Sequence, residues 1–317
     1  AMLGIGRYAS GITASFERLG KTGQGAAPLT LQPGAIAGIR VDPGRVEVMA
    51  GSRITITATA TDAKGLPVKG GTFTFEALRS ADRIDNTGLF RAATLATEVE
   101  SDLIKVSGTF DGRKVEKIVR GKVTHGVLDQ LVVAPEELTV PVKGQASLSV
   151  VGMDRFGNRI VLDEVKWTLL NADPGQVDAT GLFRAGTRAG DYTDNYLVVQ
   201  GTKNKVSTSA AVPLVVTPGP PASLEISPSA DSVPAGAGSP FVSLLKDEYG
   251  NLIEGAPLVW EAAGGGRITA NGVYVAGLQT GPFPGAVRVT LPPRALGNRS
   301  ALTATASVTV RQRSADV

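Results

Sequence analysis

The sequence Val-Asp-Ala-Thr-Gly-Leu-Phe-Arg-Ala at residues 177–185 occurs almost unchanged as Ile-Asp-Asn-Thr-Gly-Leu-Phe-Arg-Ala at residues 84–92. A third version, Ile-Thr-Ala-Asn-Gly-Val-Tyr-Val-Ala, occupies residues 268–276. Each version places two short apolar runs around a glycine-containing turn, which is typical of a compact β-hairpin. The versions are about 92 residues apart, and a fixed spacing of this kind indicates tandem repeats of one domain.

A second landmark of each repeat is an Asp-x-x-Gly turn, which begins at Asp62, Asp154 and Asp247. The second and third turns continue into Asn158 and Asn251. An aspartate can accept hydrogen bonds from backbone amides just downstream, and glycine adopts positive φ at little cost. A calcium loop would need several more oxygen ligands at regular spacing. The pattern therefore indicates turns that connect strands.

A third landmark is a strand centred on an aromatic residue: Phe75, Trp167 and Trp260 occupy equivalent positions. Their neighbours alternate in polarity, so we expect these three rings to be buried in the cores. About seven short strands per repeat, with a Trp on a middle strand, favour an immunoglobulin-like (Ig-like) sandwich. The predicted fold is all-β, with three tandem Ig-like β-sandwiches in a rod behind a short N-terminal arm that is part helical and part extended.

The predicted domains follow the repeat boundaries, with short linkers around His125 and around the Pro-Gly-Pro-Pro sequence at residues 218–221. The four segments are the arm at 1–35, Ig-like domain 1 at 36–125, domain 2 at 126–218 and domain 3 at 219–317.

The repeats resemble the bacterial Ig-like repeats of surface proteins of the invasin and intimin type. The likeness lies in the Asp-x-x-Gly-Asn turn and in a Gly-x-Ile/Val-x-x-x-Gly-Leu/Tyr-x-Ala-Gly stretch, and it covers roughly residues 36–313. The resemblance implies an Ig-like fold on a prokaryotic cell surface. Such repeats serve as spacers, adhesive tips and enzyme appendages, so the fold alone does not select one of these roles.

Composition excludes several kinds of chemistry. The 317 residues include no cysteine and one histidine, His125, so disulfides, thiolate metal sites and clusters of histidine ligands are excluded. The net charge of +3 is small and forms no basic stripe, so no nucleic-acid partner is expected. No apolar run reaches 18 residues, so no membrane span is expected in this chain. No signal peptide is recognisable, and a start at Ala1 suggests either processing or a trimmed chain.

We find no catalytic motif, so the prediction is a protein that is not an enzyme, with no catalytic residues, no cofactor and no metal site. Two weaker patterns remain. Asp191, Asp194 and Asn195 could hold a surface cation, and Asn298-Arg299-Ser300 fits a glycosylation sequon.

The N-terminal arm matches no complete repeat. Five apolar residues in it follow spacings of three and four, which predicts one face of an amphipathic helix: Ile5, Tyr8, Ile12, Phe16 and Leu19. Residues 28–34, which include Leu29 and Leu31, resemble residues 213–219, the last strand before the third repeat. These seven residues are the candidate assembly site. The arm either caps its own first domain or joins another subunit, for example by adding a strand to a sheet edge.

The function predicted from these features is a non-enzymatic, extracellular structural or adhesive protein of a prokaryotic cell surface, and its more specific form is a pilus-like filament subunit that assembles through its N-terminal arm. Its expected partners are other copies of itself, other surface proteins, or a host or matrix ligand. The alternatives are a carbohydrate-binding accessory module of a secreted enzyme and a phage or virus decoration protein. The carbohydrate alternative predicts exposed aromatic side chains aligned on one face.

Overall fold

The protein is all-β and built of Ig-like sandwiches, as the repeats predict. The computed structural model describes residues 6–110, 112–194, 197–296 and 300–313. The chain forms two compact units. The first comprises residues 1–130, 152–161 and 203–206, and the second comprises 131–151, 162–202 and 207–317. The domain boundaries predicted at 126 and 219 stay predictions.

The N-terminal arm is a β-hairpin, so the predicted helix is wrong. Strands β1 (Gly6–Arg18) and β2 (Lys21–Leu31) pair antiparallel around a turn in which Leu19 has φ 52°. Residues four apart share one face of a strand as well as one face of a helix, so the apolar spacing fits both. Each glycine disfavours a helix by about 1 kcal/mol, and β2 supplies partners for the backbone of β1. Ile5 lies outside the described residues.

The first repeat, in the first unit, consists of nine strands: β3 (Ile36–Asp42), β4 (Arg45–Met49), β5 (Arg53–Thr55), β6 (Thr57–Asp62), β7 (Thr72–Ala77), β8 (Arg83–Ile84), β9 (Leu89–Arg91), β10 (Ser101–Phe110) and β11 (Arg113–Thr124). One sheet has the order β4-β11-β10-β7, and the other strands pair as β3-β6 and β5-β9-β8. Strand β4 runs parallel to the last strand, β11. The core between them includes Val46, Phe90 and Ile104, all fully buried.

The second repeat contains twelve shorter strands: β12 (Gln130–Ala134), β13 (Leu138–Pro141), β14 (Gln145–Ser147), β15 (Ser149–Met153), β16 (Arg159–Ile160), β17 (Glu164–Leu169), β18 (Gly175–Val177), β19 (Leu182–Ala185), β20 (Gly190–Asp191), β21 (Leu197–Lys203), β22 (Val206–Val212) and β23 (Leu214–Thr217). Strand β13 runs parallel to β23, and β17 pairs with β21, which pairs with β22. Leu197, Leu214 and Val216 lie in its core.

The third repeat, in the second unit, has eight strands: β24 (Pro221–Pro228), β25 (Val233–Pro234), β26 (Gly238–Asp247), β27 (Val259–Ala262), β28 (Gly266–Ile268), β29 (Val273–Ala276), β30 (Gly281–Leu291) and β31 (Leu302–Arg311). Its sheets have the orders β24-β26-β29-β28 and β25-β31-β30-β27, and β25 runs parallel to β31. A short 3-10 helix covers Pro293–Leu296. Among the described residues, no helix has the length and apolar character needed to cross a membrane.

The aromatic residue at the centre of each core comes from the glycine-containing hairpin: Phe90, Phe183 and Tyr274 have no exposed surface. The three rings expected to be buried are only partly so, and they pack against the edges of the cores: Phe75, Trp167 and Trp260. Strand alternation gave the correct face for these rings but not their depth.

The glycine shared by the three hairpins is required by close packing. Gly181 has φ 84°, and a Cβ atom there would lie 2.5 Å from the carbonyl oxygen of Leu148. The same atom would lie 3.1 Å from Nε1 of Trp167. The amide of Leu148 donates to the oxygen of Gly181 at 2.8 Å, which holds the hairpin against the neighbouring strand. A side chain at Gly181 would clash with the carbonyl oxygen of Leu148 and crowd the ring of Trp167. This close packing explains why the stretch recurs almost unchanged in the repeats.

Candidate functional site

The Asp-x-x-Gly turns lie where one repeat meets the linker before it, and we call residues 62–66, 154–158 and 247–251 the junction turns. In each, Oδ1 of the aspartate accepts two backbone N–H groups from its own turn at 2.8 to 2.9 Å. Oδ2 accepts a third from a glycine 28 residues upstream: Gly34 for Asp62 at 2.9 Å, Gly126 for Asp154 at 2.7 Å and Gly219 for Asp247 at 2.8 Å. The predicted turns are present, and their carboxylates bind backbone amides.

The pKa of the junction aspartates reflects this arrangement. Burial alone would raise the pKa of Asp154, but hydrogen bonds from Asn158, Gly126 and Phe156 outweigh it and hold the pKa below its ordinary value. The pKa of Asp247 is lowered for the same combination of reasons. The backbone amide of Gly34 is the main cause of the lowered pKa of Asp62. All three aspartates are therefore charged at neutral pH.

The asparagine that ends the second junction turn binds the backbone of a loop far away in sequence. Nδ2 of Asn158 donates to the carbonyl oxygen of Thr94 at 2.7 Å, and its Oδ1 accepts the amide of Ala96 at 2.8 Å. Nδ2 also donates to Asp154 at 2.8 Å, and Asn158 is only 7% exposed. The asparagine thus fixes the turn of one repeat to a loop of the repeat before it.

Asn251 in the third repeat makes the same three contacts. Its Nδ2 donates to the carbonyl oxygen of Thr187 and to Asp247, both at 2.8 Å, and its Oδ1 accepts the amide of Ala189 at 2.8 Å. We call the three-residue segments at 94–96 and 187–189, together with the equivalent residues 278–280, the receiving loops. The first junction turn has Leu66 where the others have asparagine, so it lacks the group that binds a receiving loop.

An aromatic residue before the glycine adds an apolar contact. Phe156 covers Gly51, a residue with φ 72°: a Cβ atom on Gly51 would lie 2.7 Å from the ring. Tyr249 is placed likewise near Lys143, which has φ 60° and whose Nζ lies 5.8 Å from the ring centre. The first junction turn has Lys64 at this position.

The candidate assembly residues of the arm are mostly brought together on one face of the N-terminal hairpin. Pairing places Tyr8 opposite Leu29, Ile12 opposite Ala27 and Phe16 opposite Gly23, so these side chains share a face. Leu31 pairs with Gly6 at the end of that face, whereas Leu19 lies in the turn and is 95% exposed. Ile12 and Phe16 are 56% and 68% exposed.

The N-terminal hairpin has the register of the hairpin that closes each complete repeat. Fourteen residues separate Gly20 from Gly34, Gly112 from Gly126, and Lys205 from Gly219. The position eight residues before each of these turn residues holds Ile12 in the hairpin and two core residues in the repeats, Ile104 and Leu197, both 0% exposed. Leu29 and Leu31 likewise correspond to the buried residues Leu214 and Val216. At positions that are core in the complete repeats, the hairpin therefore leaves Ile12 exposed and Leu29 and Leu31 only half-buried.

The remaining sequence candidates form no site. Nδ1 of His125 donates to the carbonyl oxygen of Gly126 at 2.7 Å, and its backbone amide donates to Glu98 at 2.6 Å. Asp191 accepts the amide of Thr193 at 3.0 Å. The described part of the chain contains no group of three or more His, Asp or Glu residues arranged to hold a metal. Asn195, Asn298 and Arg299 lie outside the described residues.

Comparisons with known proteins give structural likeness only. No protein family matches the sequence, and no curated protein matches it either. Similar solved structures include the Escherichia coli adhesin FdeC, at 18% identity and TM-score 0.41 over 89% of this chain and all of the other. Invasin, a bacterial integrin-binding protein, matches at 13% and 0.38 over 92% of this chain and 64% of its own.

The surface-layer protein SbsC matches at 17% identity and TM-score 0.29 over 94% of this chain, which spans 44% of that protein's resolved chain. These values assign neither a family nor a function to this chain.

Proposed function

We propose that this protein is a non-enzymatic structural or adhesive component of a prokaryotic cell surface, exposed outside the cell. The observation that carries the proposal is the use of one junction twice: Asn158 and Asn251 fix their turns to the preceding repeat through the same three hydrogen bonds. Such repetition suits a protein whose repeats supply length and exposed surface. FdeC is named an adhesin and SbsC a surface-layer protein, and the proposed role is of the same kind.

The absence of enzymatic activity is part of this proposal. The carboxylates that stand out in the sequence are engaged by backbone amides of their own turns, as with Asp154 and Asp247. Asp178 is engaged in the same way by Thr180 and Leu182. A general acid or base needs a carboxylate that can reach a substrate. The carbohydrate-binding alternative gains little support from Trp167 and Trp260, which pack against the cores.

The location can be tested on intact cells that produce the protein. Antibodies against the purified chain should label the surface of unpermeabilised cells, and external protease should remove the signal. Labelling that appears only after permeabilisation would contradict a surface role. Adhesion is tested separately, by comparing attachment of producing and deleted strains to host cells and to matrix-coated plates.

We further propose that the N-terminal hairpin is an assembly element that pairs with the hairpin of another copy. The face of Tyr8, Ile12, Phe16, Leu29 and Leu31 has the register of a sandwich core, but Ile12 and Phe16 are exposed and the other three are only half-buried. The opposite face carries polar residues such as Thr13 and Ser15. Burying an apolar side chain stabilises by about 1.5–3 kcal/mol before ordering costs, and a lone two-stranded hairpin is marginally stable in water. Two hairpins packed face to face would cover both surfaces.

The hairpin proposal is tested by the oligomeric state of the full chain. We expect concentration-dependent association by sedimentation or light scattering, which Ile12→Asp with Leu29→Asp should abolish. The matched control is Thr13→Asp with Thr30→Asp, which adds the same charge to the opposite face. A chain that is monomeric at all concentrations, or equal association in both variants, would show that the hairpin does not assemble the protein.

A further inference from the structure

The third repeat has its own receiving loop, at residues 278–280, directly after the glycine-containing hairpin. In the first two repeats this loop offers a carbonyl oxygen and, two residues later, an amide to an asparagine. In the third these groups are the oxygen of Leu278 and the amide of Thr280. All three loop residues are exposed, Leu278 to 88%. Within the described residues, no hydrogen bond engages either group.

The third repeat also has an equivalent of the position that the aromatic residue of a junction turn contacts in the first two repeats. No described residue covers this position in the third repeat. Gly51, Lys143 and Gly236 have φ values of 72°, 60° and 73° at equivalent places. The ring of Phe156 lies over Gly51, whereas none of the residues that the structure describes lies within 4 Å of a Cβ atom built on Gly236. The amide of Gly236 donates to the oxygen of Gly277 at 3.4 Å, as the amides of Gly51 and Lys143 donate to the equivalent Ala93 and Gly186 at 2.9 Å.

The end of the last strand confirms that the three repeats match in geometry. The amide of Ala50 donates to Thr124 at 2.8 Å, that of Val142 to Thr217 at 2.9 Å, and that of Ala235 to Arg311 at 2.9 Å. Gln312 and Arg313 therefore take the linker positions that Pro218 and Gly219 occupy after the second repeat.

We propose that this end face of the third repeat, formed by Gly236 and the receiving loop at 278–280, docks the junction turn of a further Ig-like repeat. The partner must carry an aromatic residue and an asparagine in that turn, as the second and third repeats do. Asparagine presents a donor and an acceptor together, so one side chain pairs with both backbone groups of the loop.

The occupant is not the free end of a second copy of this chain. The first junction turn has Lys64 and Leu66 in place of the aromatic residue and the asparagine. Leu66 has no group that could donate to Leu278 or accept from Thr280. The two internal asparagines, Asn158 and Asn251, already bind the receiving loops of the first and second repeats. The partner is therefore a different repeat, and the two ends of this chain are not complementary.

The test extends the whole chain by one repeat. A second copy of residues 220–313 is joined directly after Arg313, so that Gln312 and Arg313 serve as the linker in the register of Pro218 and Gly219. Amide hydrogen exchange is then followed at Thr280, with Ala96 and Ala189 as internal references for an occupied loop. Docking should slow exchange at Thr280 by at least about 10-fold relative to the 317-residue chain.

The matched control changes only the added copy, by Tyr249→Lys and Asn251→Leu, which reproduces the first junction turn. That turn occurs in a folded repeat, so the control should fold, and exchange at Thr280 should return to that of the unextended chain. A second arrangement adds residues 127–218 instead, with Phe156→Lys and Asn158→Leu as its control. If Thr280 exchanges equally in the added copy and its control, or is unprotected in both arrangements, the proposal is wrong.

Discussion

The junctions at Gly126 and at Gly34 contain the same parts in the same register, but different amounts of protein surround them. Each has a closing hairpin, a glycine fourteen residues after its turn, and an aspartate 28 residues further on that accepts the glycine amide. At Gly126 a complete sandwich stands behind the hairpin and Asn158 binds its loop. At Gly34 the described residues before the linker form only the hairpin, and Leu66 replaces the asparagine.

The two junctions show that the residues of a junction turn have two separate structural roles. The aspartate organises the linker and its own turn, and it needs nothing from the preceding sandwich, because Asp62 does so with the N-terminal hairpin alone. In the second and third junction turns the asparagine and the aromatic residue contact the preceding repeat, and the first junction turn has Leu66 and Lys64 at these positions. The sequence differences between the turns thus follow what each turn contacts.

The largest effect expected from this comparison concerns the two hairpin cores. Ile104→Ala should destabilise the first repeat by about 2–5 kcal/mol, because Ile104 is fully buried and the change leaves a cavity. Ile12→Ala at the equivalent place should change the stability of the monomeric chain by less than about 0.5 kcal/mol, since Ile12 is 56% exposed. Thermal unfolding of both variants at low concentration measures the difference. Equal losses would mean that the N-terminal hairpin is as well packed as β10 and β11.

Much of this architecture could be predicted from sequence because it depends on local chemistry. The recurring glycine predicts a hairpin turn that has positive φ and no room for a side chain. Asp154 predicts a turn in which its carboxylate accepts the backbone amides that follow it. The contacts of Asn158 could not be predicted, because they go to backbone groups more than sixty residues away. Any residue except proline presents such groups, so Thr94 and Ala96 carry no signal of the contact.

The helix prediction for the N-terminal arm is wrong for a different reason. Tyr8, Ile12 and Phe16 are four residues apart, a spacing that puts side chains on one face of either a helix or a strand. The glycines around them were the evidence against a helix. The arm is a hairpin because β2 pairs with β1 along its length. The resemblance of residues 28–34 to residues 213–219 is the feature of the sequence that indicates this second strand.

A smaller effect is expected at the asparagine. Asn158→Leu should raise the hydrogen-exchange rate of the Ala96 amide about 5- to 150-fold, because losing the hydrogen bonds to the receiving loop costs about 1–3 kcal/mol. The reciprocal change, Leu66→Asn, should leave exchange throughout the first repeat unaltered, since no receiving loop faces the first junction turn within the described residues. An unchanged Ala96 rate in Asn158→Leu would show that the turn is held by the linker and by Phe156 instead.

The smallest effect expected is a dependence on acidity that distinguishes the two junctions. The pKa of both Asp62 and Asp154 is lowered in the folded protein. A lowered pKa means that the charged form stabilises the fold: the contribution is complete well above pH 4, and it declines as pH falls below the ordinary value of 3.8. The side chain of Asn158 lowers the pKa of Asp154, whereas Asp62 depends on backbone amides and, to a smaller extent, on the charge of Lys64. Asn158→Leu should therefore raise the pKa of Asp154, so that the stabilisation from its charged form is lost at higher pH.

The carboxyl carbon shift of each aspartate, followed by NMR from pH 6 to pH 2, measures both pKa values. The Asp62 titration serves as the internal control, and a shift of both aspartates, or of neither, would show that Asn158 does not set this difference.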